Sequence, residues 1–197
     1  MAACLTLPAE EHSEKLKAIA SCSAWFMHAL RAARSLGLPS WCIGAGAVRN
    51  LVWDHLHGYA TPSDLADIDL AYFDAQELPE EETRHQEIIA HACPGLPWEV
   101  TNQAHVHLWF EKYFGYPVTP LHSLAEAVAT WPEFATSVGI CLDENDALHI
   151  IAPWGLDDLF EMRVRRNPVR VSEETFLNRT RSKRYAERWP KVSVQEA

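Results

Sequence analysis

The chain has 197 residues, of which 48% are hydrophobic and 22% are charged, a composition typical of a globular protein. This balance excludes a disordered, collagen-like or coiled-coil chain, and no apolar run reaches the roughly 18 residues that a membrane span needs. The formal net charge of −10 makes a long nucleic acid an unexpected partner, because such binding depends on many contacts between basic side chains and phosphates.

The first residues and the cysteines both indicate a cytoplasmic location. The start of the chain has neither the basic nor the apolar region of a secretory signal. The five cysteines are odd in number, far apart and without a C-x-x-C pair, which argues against a disulfide framework or a zinc site. We expect reduced thiols at Cys4, Cys22, Cys42, Cys93 and Cys141.

Charge is unevenly distributed along the chain. Residues 1–162 contain 7 basic and 23 acidic side chains, whereas residues 163–191 contain 10 basic and 3 acidic ones. The basic segment has two open interpretations, a binding surface for a polyphosphate or short RNA and a solvated helix beside an acidic body. The domain prediction is a single domain over 1–197, with an N-terminal helix at 9–36, a core at about 40–168 and the basic helical segment at 163–191.

Hydrophobic periodicity and turn residues predict the elements of the first half of the chain. Apolar residues recur every three or four positions from Leu16 to Ala33, as in an amphipathic helix, and Pro39 ends the pattern. In chain order we then predict a strand at 41–43, a glycine turn at 44–46, a helix at 47–57 and a strand at 67–73.

The second half continues this alternation and ends in a hairpin and two helices. We predict a helix from Pro79 to before Pro94, a strand at 98–101, helices at 104–114 and 123–129, a hairpin of 135–142 with 147–152, and closing helices at 155–165 and 173–188. The expected fold class is therefore α/β or α+β, with a small mixed sheet flanked by helices.

The glycine turn is the first feature that bears on chemistry. Gly44 and Gly46 lie where a strand passes into a helix, and unpaired amide groups at such a helix start can bind an anion. The turn lacks the lysine and hydroxyl residue of a P-loop. Tight packing of strand against helix is the alternative interpretation, and both remain open.

Two aspartates form the second feature. Residues two apart in a strand point to the same face, about 6.6 Å apart at ~3.3 Å per residue, so Asp67 and Asp69 aim at one region. Adjacent carboxylates repel each other, and a divalent cation relieves that repulsion. Aspartate is also a poor strand former, so two of them in an apolar strand need an explanation. A surface strand end is the alternative interpretation.

Glu99 is the third feature, placed between Trp98 and Val100 in the next predicted strand. A third carboxylate could complete an oxygen-rich site for two Mg²⁺ ions about 3.5–4 Å apart, the arrangement that serves phosphoryl transfer. The alternative is a solvent-facing residue of an edge strand.

The order of these three features resembles that of the polymerase β-like nucleotidyltransferase superfamily, and the chain looks like one of its minimal bacterial "nucleotidyltransferase family protein" members. The closer resemblance covers about residues 40–168. It is carried by the stretches IGAGAVRNL from Ile43, WDHLHG from Trp53, DLADIDLAYFD from Asp64, WEVTNQAHVHLW from Trp98, Thr136–Gly139 and APWGLDDLFEMRVRRN from Ala152.

This resemblance implies metal-dependent transfer of a nucleoside monophosphate from an NTP to a hydroxyl acceptor, with release of pyrophosphate. Asp67 and Asp69 would hold two Mg²⁺ ions, or Mn²⁺ in their place, and Glu99 would hold the catalytic ion. Gly44, Ala45 and Gly46 would cradle the nucleotide phosphates. The turn has Ala45 and Gly46 where the superfamily usually has Gly-Gly or Gly-Ser, and an inserted loop separates Gly46 from Asp67. The acceptor stays open between a small molecule, an RNA end and a protein hydroxyl.

Further polar residues have two interpretations each. Arg49 follows the turn and could reach a phosphate or lie on the surface. Asn102 could contact a sugar or cap the next helix. The arginines of the basic segment could steer the nucleotide or be solvated; these are Arg163, Arg165 and Arg166.

The sequence has three further interpretations. Two H-x-H pairs, at 55–57 and 105–107, could indicate a metallohydrolase, but positions i and i+2 of a helix do not share a face. Some tryptophans could stack on a base, although most belong in a core; the candidates are Trp53, Trp109, Trp131 and Trp154. The main alternative to an enzyme is a non-catalytic nucleotide- or protein-binding module, antitoxin-like, that keeps the fold.

Overall fold

The computed structural model describes residues 8–195, so Cys4 lies outside the described part. In chain order the helices are α1 (Pro8–Cys22), α2 (Ala24–Ser35), α3 (Ala45–His57), α4 (Pro79–Ala92), α5 (Val106–Phe114), α6 (Leu124–Ala129), α7 (Asp157–Phe160), α8 (Glu173–Lys183) and α9 (Tyr185–Arg188). The strands are β1 (Trp41–Gly44), β2 (Ile68–Tyr72), β3 (Trp98–Asn102), β4 (Gly139–Leu142), β5 (Leu148–Ile151), β6 (Arg163–Val164) and β7 (Ser193–Val194). Short 3₁₀ turns occupy Gln103–His105 and Phe134–Thr136.

The main sheet has five strands in the order β3-β2-β1-β4-β5. β2 and β3 run parallel, whereas β1 pairs antiparallel with β2 and β4, and β4 with β5. The predicted mixed sheet with flanking helices is therefore confirmed. β6 and β7 form a separate parallel pair.

One buried cluster joins the sheet to the N-terminal and C-terminal helices. It contains Leu16 of α1, Ile43 of β1 and Trp53 of α3, together with Phe176 and Trp189 from the C-terminal segment. All five are fully buried or nearly so. Burial of large aromatic side chains is a major favourable term in folding, so the basic C-terminal segment is held by apolar packing as well as by charge.

The structure corrects the predicted N-terminal helix at 9–36. The chain forms two helices because Ser23 leaves the helical conformation and its hydroxyl accepts a hydrogen bond from the Phe26 amide at 3.4 Å. A serine N-cap of this kind satisfies an amide that the start of α2 would otherwise leave unpaired. The apolar face still runs through both helices, so the periodicity alone did not reveal the break.

The closing elements also differ from the prediction. Of the predicted helix at 155–165 only Asp157–Phe160 is helical, and Arg163–Val164 pairs with β7 instead. The predicted strand at 135–142 begins at Gly139. The predicted helix at 173–188 is divided at Arg184, whose φ of +50° is left-handed. The four cysteines in the described part are free thiols, as expected.

Candidate functional site

The three acidic residues singled out in the sequence line one cavity of about 550 Å³. Asp67 directly precedes β2, Asp69 lies within it, and Glu99 is the β3 residue that pairs with Asp69 in the parallel register. Asp67 and Asp69 are half-buried and Glu99 is exposed. The strand pairing therefore brings the carboxylates toward the same space from two neighbouring strands.

The three carboxylates repel one another electrostatically. Burial, together with the negative charges of Asp67 and Glu99, raises the pKa of Asp69 to about 6. Like charges that meet in a partly desolvated place disfavour ionisation. A cation bound beside them would remove that penalty.

The carboxylates do not form a closed metal site as they stand. Over residues 8–195, no three His, Cys, Asp or Glu side chains lie close enough together to hold a metal ion. The donors facing the cavity are carboxylate oxygens, the ligand type that Mg²⁺ and Mn²⁺ prefer. The donor chemistry therefore fits Mg²⁺, and metal binding remains a proposal.

The glycine turn borders the same cavity through Ala45 and Gly46. Ala45 forms the corner with a φ of +48°, and its amide donates to the carbonyl oxygen of Val138 at 3.1 Å. The Ala45 amide is therefore not available to bind an anion. Gly46 follows in the first turn of α3, and a Cβ placed on it would lie 3.8 Å from Asp67 Oδ1. The helix start and the acidic group are thus adjacent.

Gly44 has a packing role that Gly46 does not share. A Cβ on Gly44 would lie 2.5 Å from the ring of Trp131 and 2.9 Å from the carbonyl oxygen of Val138. The Val138 backbone directly precedes β4 and is held there, and the Trp131 ring would have to shift. The tight-packing interpretation of the turn therefore applies to Gly44, while Gly46 keeps room for a ligand.

Alanine substitutions at these two glycines are expected to differ. Gly44→Ala should lower the free energy of unfolding by about 1–3 kcal/mol because the new methyl group overlaps Trp131. Gly46→Ala should keep the free energy of unfolding or raise it by up to about 1 kcal/mol, since the Cβ would make only ordinary contacts and alanine favours a helix. Urea unfolding of both variants measures the difference, and equal destabilisation would contradict this account of the turn.

Arg49 is buried in an aromatic cage beside the cavity. It is 3% exposed, its Nη2 donates to Asn50 Oδ1 at 2.7 Å, and its guanidinium lies 5.1–5.6 Å from the ring centroids of Trp53, Tyr185 and Trp189. Burial lowers the pKa of Arg49 from its ordinary value. The side chain still borders the cavity, so the surface interpretation is wrong and a role toward a phosphate remains a prediction.

Three cations of the basic segment 163–191, which the sequence did not single out individually, also line the cavity. Arg170, Arg179 and Lys183 come from the loop before α8 and from α8 itself, and all three line the cavity. Arg179 Nε donates to Glu133 Oε1 at 2.7 Å, which fixes the guanidinium at the cavity wall. The cavity thus sets carboxylates against cations, the arrangement needed to hold a metal and a polyphosphate together.

The arginines predicted for this role lie elsewhere. Arg163 and Arg165 form ion pairs with the buried Asp158, and Arg166 donates to the carbonyl oxygen of Val171. None of the three lines the cavity. Although they belong to the basic segment, Arg163 and Arg165 pair with Asp158 of α7 and Arg166 bonds within its own loop.

Asn102 has the capping role that its sequence position allowed. It is fully buried, and its Oδ1 accepts hydrogen bonds from the amides of Ala104 and Asp74, both at 3.1 Å. Its Nδ2 donates to the Asp74 carbonyl oxygen at 2.8 Å. These bonds tie the end of β3 to the loop after β2, which supports the strands that carry the carboxylates.

Aromatic side chains from α5 and its surroundings form the third wall of the cavity. Trp109 and Trp131 both line it, as do Phe110, Phe114 and Tyr116. Trp53 lies in the core, where Nε1 donates to the Leu159 carbonyl oxygen, and the half-exposed Trp154 lies outside the cavity. No histidine of the H-x-H pairs lines this cavity.

Comparison with known families and structures agrees with this architecture. A family model described as nucleotidyltransferase matches residues 31–194, a wider span than the predicted resemblance. No curated protein sequence matches the chain. No helix in the described part is long and apolar enough to cross a membrane.

Among solved structures, the chain is similar to a protein whose NMR structure reveals a CCA-adding enzyme head domain. The two share 25% identity and a TM-score of 0.75, and the match covers 93% of this chain and 96% of that one. A CCA-adding enzyme in apo form matches with a TM-score of 0.51 at 15% identity over 93% of this chain, and a tRNA-processing enzyme complex with 0.50 at 16% over 85%. This chain spans only 44% and 43% of those two chains.

Proposed function

We propose, since this chain belongs to the nucleotidyltransferase family, that it transfers a nucleoside monophosphate from an NTP to a hydroxyl acceptor and releases pyrophosphate. The observation that carries the proposal is the single cavity in which Asp67, Asp69 and Glu99 face the cations of the α8 wall. Acidic groups without the cations would bind a metal alone, and cations without acidic groups would bind an anion alone.

Each part of the cavity has a proposed role. Asp67, Asp69 and Glu99 would hold Mg²⁺, which when bound supplies polarisation of the phosphoryl oxygens and neutralises charge in phosphoryl transfer. Arg179 and Lys183 would bind the triphosphate, and the amides at Gly46 would approach it from the start of α3. Burial by the aromatic wall would exclude water, so that the acceptor hydroxyl is favoured over hydrolysis.

The acceptor is proposed to be short. An RNA end is one candidate, because the similar NMR structure reveals the head domain of a CCA-adding enzyme. The net charge of −10 counts against a long polynucleotide, since an acidic chain repels its phosphates. A small-molecule hydroxyl and a protein hydroxyl remain the other candidates.

Pyrophosphate release tests the proposal. The protein is incubated with Mg²⁺ and each of the four NTPs, with and without a metabolite extract, and products are examined for a mass gain of one nucleoside monophosphate. Release should disappear on chelation of the metal and fall by about 100-fold or more in Asp67→Asn. Asp157→Asn is the matched control, because Asp157 is exposed, lies outside the cavity, and its side chain pairs with His12.

Two outcomes would contradict the proposal in different ways. NTP binding without release under any acceptor condition would favour the non-catalytic nucleotide- or protein-binding module. Release that survives in Asp67→Asn at the level of the unaltered protein would place the chemistry outside this cavity.

A further inference from the structure

Gln103 is a cavity residue whose side-chain amide makes no hydrogen bond within residues 8–195. The residue is 9% exposed and lines the cavity. Hydrogen bonds engage both ends of the neighbouring Asn102 amide, whereas none in residues 8–195 engages the side-chain amide of Gln103. Its amide atoms are not among the buried polar atoms of the described residues that lack a partner, so they are open to the cavity and available to a ligand.

Gln103 follows Glu99 and Thr101 at alternate positions along β3 and the turn after it. Glu99 and Thr101 are two residues apart in the strand, so their side chains share one face, and both line the cavity. Gln103 follows at the same spacing as the first residue of the 3₁₀ turn. A molecule whose reactive end lies near Glu99 would therefore extend past Thr101 to this amide.

The surroundings of Gln103 are aromatic. Trp109, Phe110 and Trp131 line the same cavity, and Trp109 and Phe110 are stacked with their ring centroids 6.3 Å apart and an interplanar angle of 26°. Aromatic side chains with one amide among them suit a flat ring that stacks and also presents a polar edge. A glutamine amide offers a donor and an acceptor side by side and pairs with a ring edge that offers the same.

From these observations we infer that Gln103 and the aromatic wall form a subsite for a heteroaromatic ring with adjacent hydrogen-bond donor and acceptor, the chemistry of a nucleobase. The inference rests on the proposed function in that the ring belongs to a reactant of the same cavity. Two sources share this chemistry: the base of the NTP and a terminal nucleoside of the acceptor.

Calorimetric binding at fixed Mg²⁺ distinguishes these sources. The probes are the four NTPs, inorganic tripolyphosphate, and the four nucleosides in the presence of saturating tripolyphosphate. Gln103→Leu removes the amide at similar volume, and Gln76→Leu is the matched control because Gln76 is exposed. For at least one probe that contains a base, Gln103→Leu should weaken binding by about 10-fold, while tripolyphosphate stays within about twofold.

The probes that lose affinity in Gln103→Leu show whether the bound ring belongs to the NTP or to the acceptor. Weaker NTP binding with unchanged nucleoside binding assigns the subsite to the donor base, and the reverse assigns it to the acceptor. Gln103→Glu serves as a second variant that keeps the size and replaces the donor by an acceptor. It should change the order of preference among bases toward those that present a donor, an effect that general loss of structure does not produce.

The inference is overturned if no base-containing probe binds more tightly than its phosphate portion alone, or if Gln103→Leu leaves all of them within twofold. It is also overturned if tripolyphosphate weakens as much as the NTPs, because Gln103 would then act on the phosphates or on the fold. Failure of tripolyphosphate to bind the unaltered protein, together with absence of pyrophosphate release, would instead remove the proposed function.

Discussion

Asp69→Asn is expected to lower nucleotidyl transfer by about 100-fold or more and at the same time to raise the melting temperature. Activity should fall because Asp69 lies between Asp67 and Glu99 on the cavity wall, and asparagine offers only a weak neutral oxygen to a cation. Stability should rise because a half-buried charge that faces two like charges opposes folding when no metal is bound.

The stabilisation should be modest, about 1–2 kcal/mol, because Asp69 is only half-buried and solvent screens part of the repulsion. For a chain of this size that corresponds to a rise of about 2–8 °C. Thermal unfolding in metal-free buffer measures it, and pyrophosphate release measures the activity. The exposed Asp157→Asn should change neither quantity. A variant that is inactive and also less stable would show that Asp69 serves the fold and not a metal.

Local sequence patterns are sufficient to predict the strands and helix that surround the three carboxylates. β1, the glycine turn and α3 follow from an apolar run, two glycines and helical spacing, and β3 from Trp98 and Val100 around Glu99. Periodicity and turn residues act within a few positions along the chain, so they define such elements well. The mixed sheet then followed from the alternation of strands and helices.

The misplaced helix at 155–165 depends on contacts that are distant in sequence. Arg163 and Val164 form a strand because Ser193 and Val194 lie beside them. No local signal in APWGLDDLFEMRVRRN indicates that partner, and the helical spacing there is as good as that of a true helix. Tertiary pairing overrides propensity in such short segments.

The sequence contains a pattern that predicts the cations of α8 in the cavity lining, and composition alone does not show it. Thr175, Arg179 and Lys183 follow one another at four-residue spacing on α8, so they share one face, and all three line the cavity. Periodicity applied to polar residues would have found this face. Arg170 lies in a loop, where no period exists, and only the fold brings it to the cavity.

Glu133→Gln is expected to be among the most destabilising single substitutions in the chain, with a loss of about 3–5 kcal/mol. Glu133 is 1% exposed, and its carboxylate accepts hydrogen bonds from Arg179 Nε at 2.7 Å, the Tyr185 hydroxyl at 2.8 Å and the Thr136 hydroxyl at 2.8 Å. Glutamine would leave the charges of Arg179 and the nearby buried Arg49 without their anion.

The loss of stability in Glu133→Gln is expected to become smaller at low pH. Burial by itself would raise the pKa of Glu133, but the charge and hydrogen bond of Arg179, with the charge of Arg49, outweigh burial and lower it below its usual value. A carboxyl with a lowered pKa contributes stability that is present above its unfolded pKa of about 4.3 and is lost as pH falls through the folded value. The difference between the unaltered protein and Glu133→Gln should therefore be constant from about pH 6 to 8 and shrink below about pH 4.

Urea unfolding across this pH range measures the effect, with Glu144→Gln as the matched control, since Glu144 is exposed in the β4–β5 turn and should change stability by less than about 0.5 kcal/mol. The double variant Glu133→Gln/Arg179→Met should recover part of the lost stability, because it also removes the unbalanced cation. It should not recover nucleotide binding, since it lacks one of the cations that line the cavity. Recovery of both would show that Arg179 serves only to pair with Glu133.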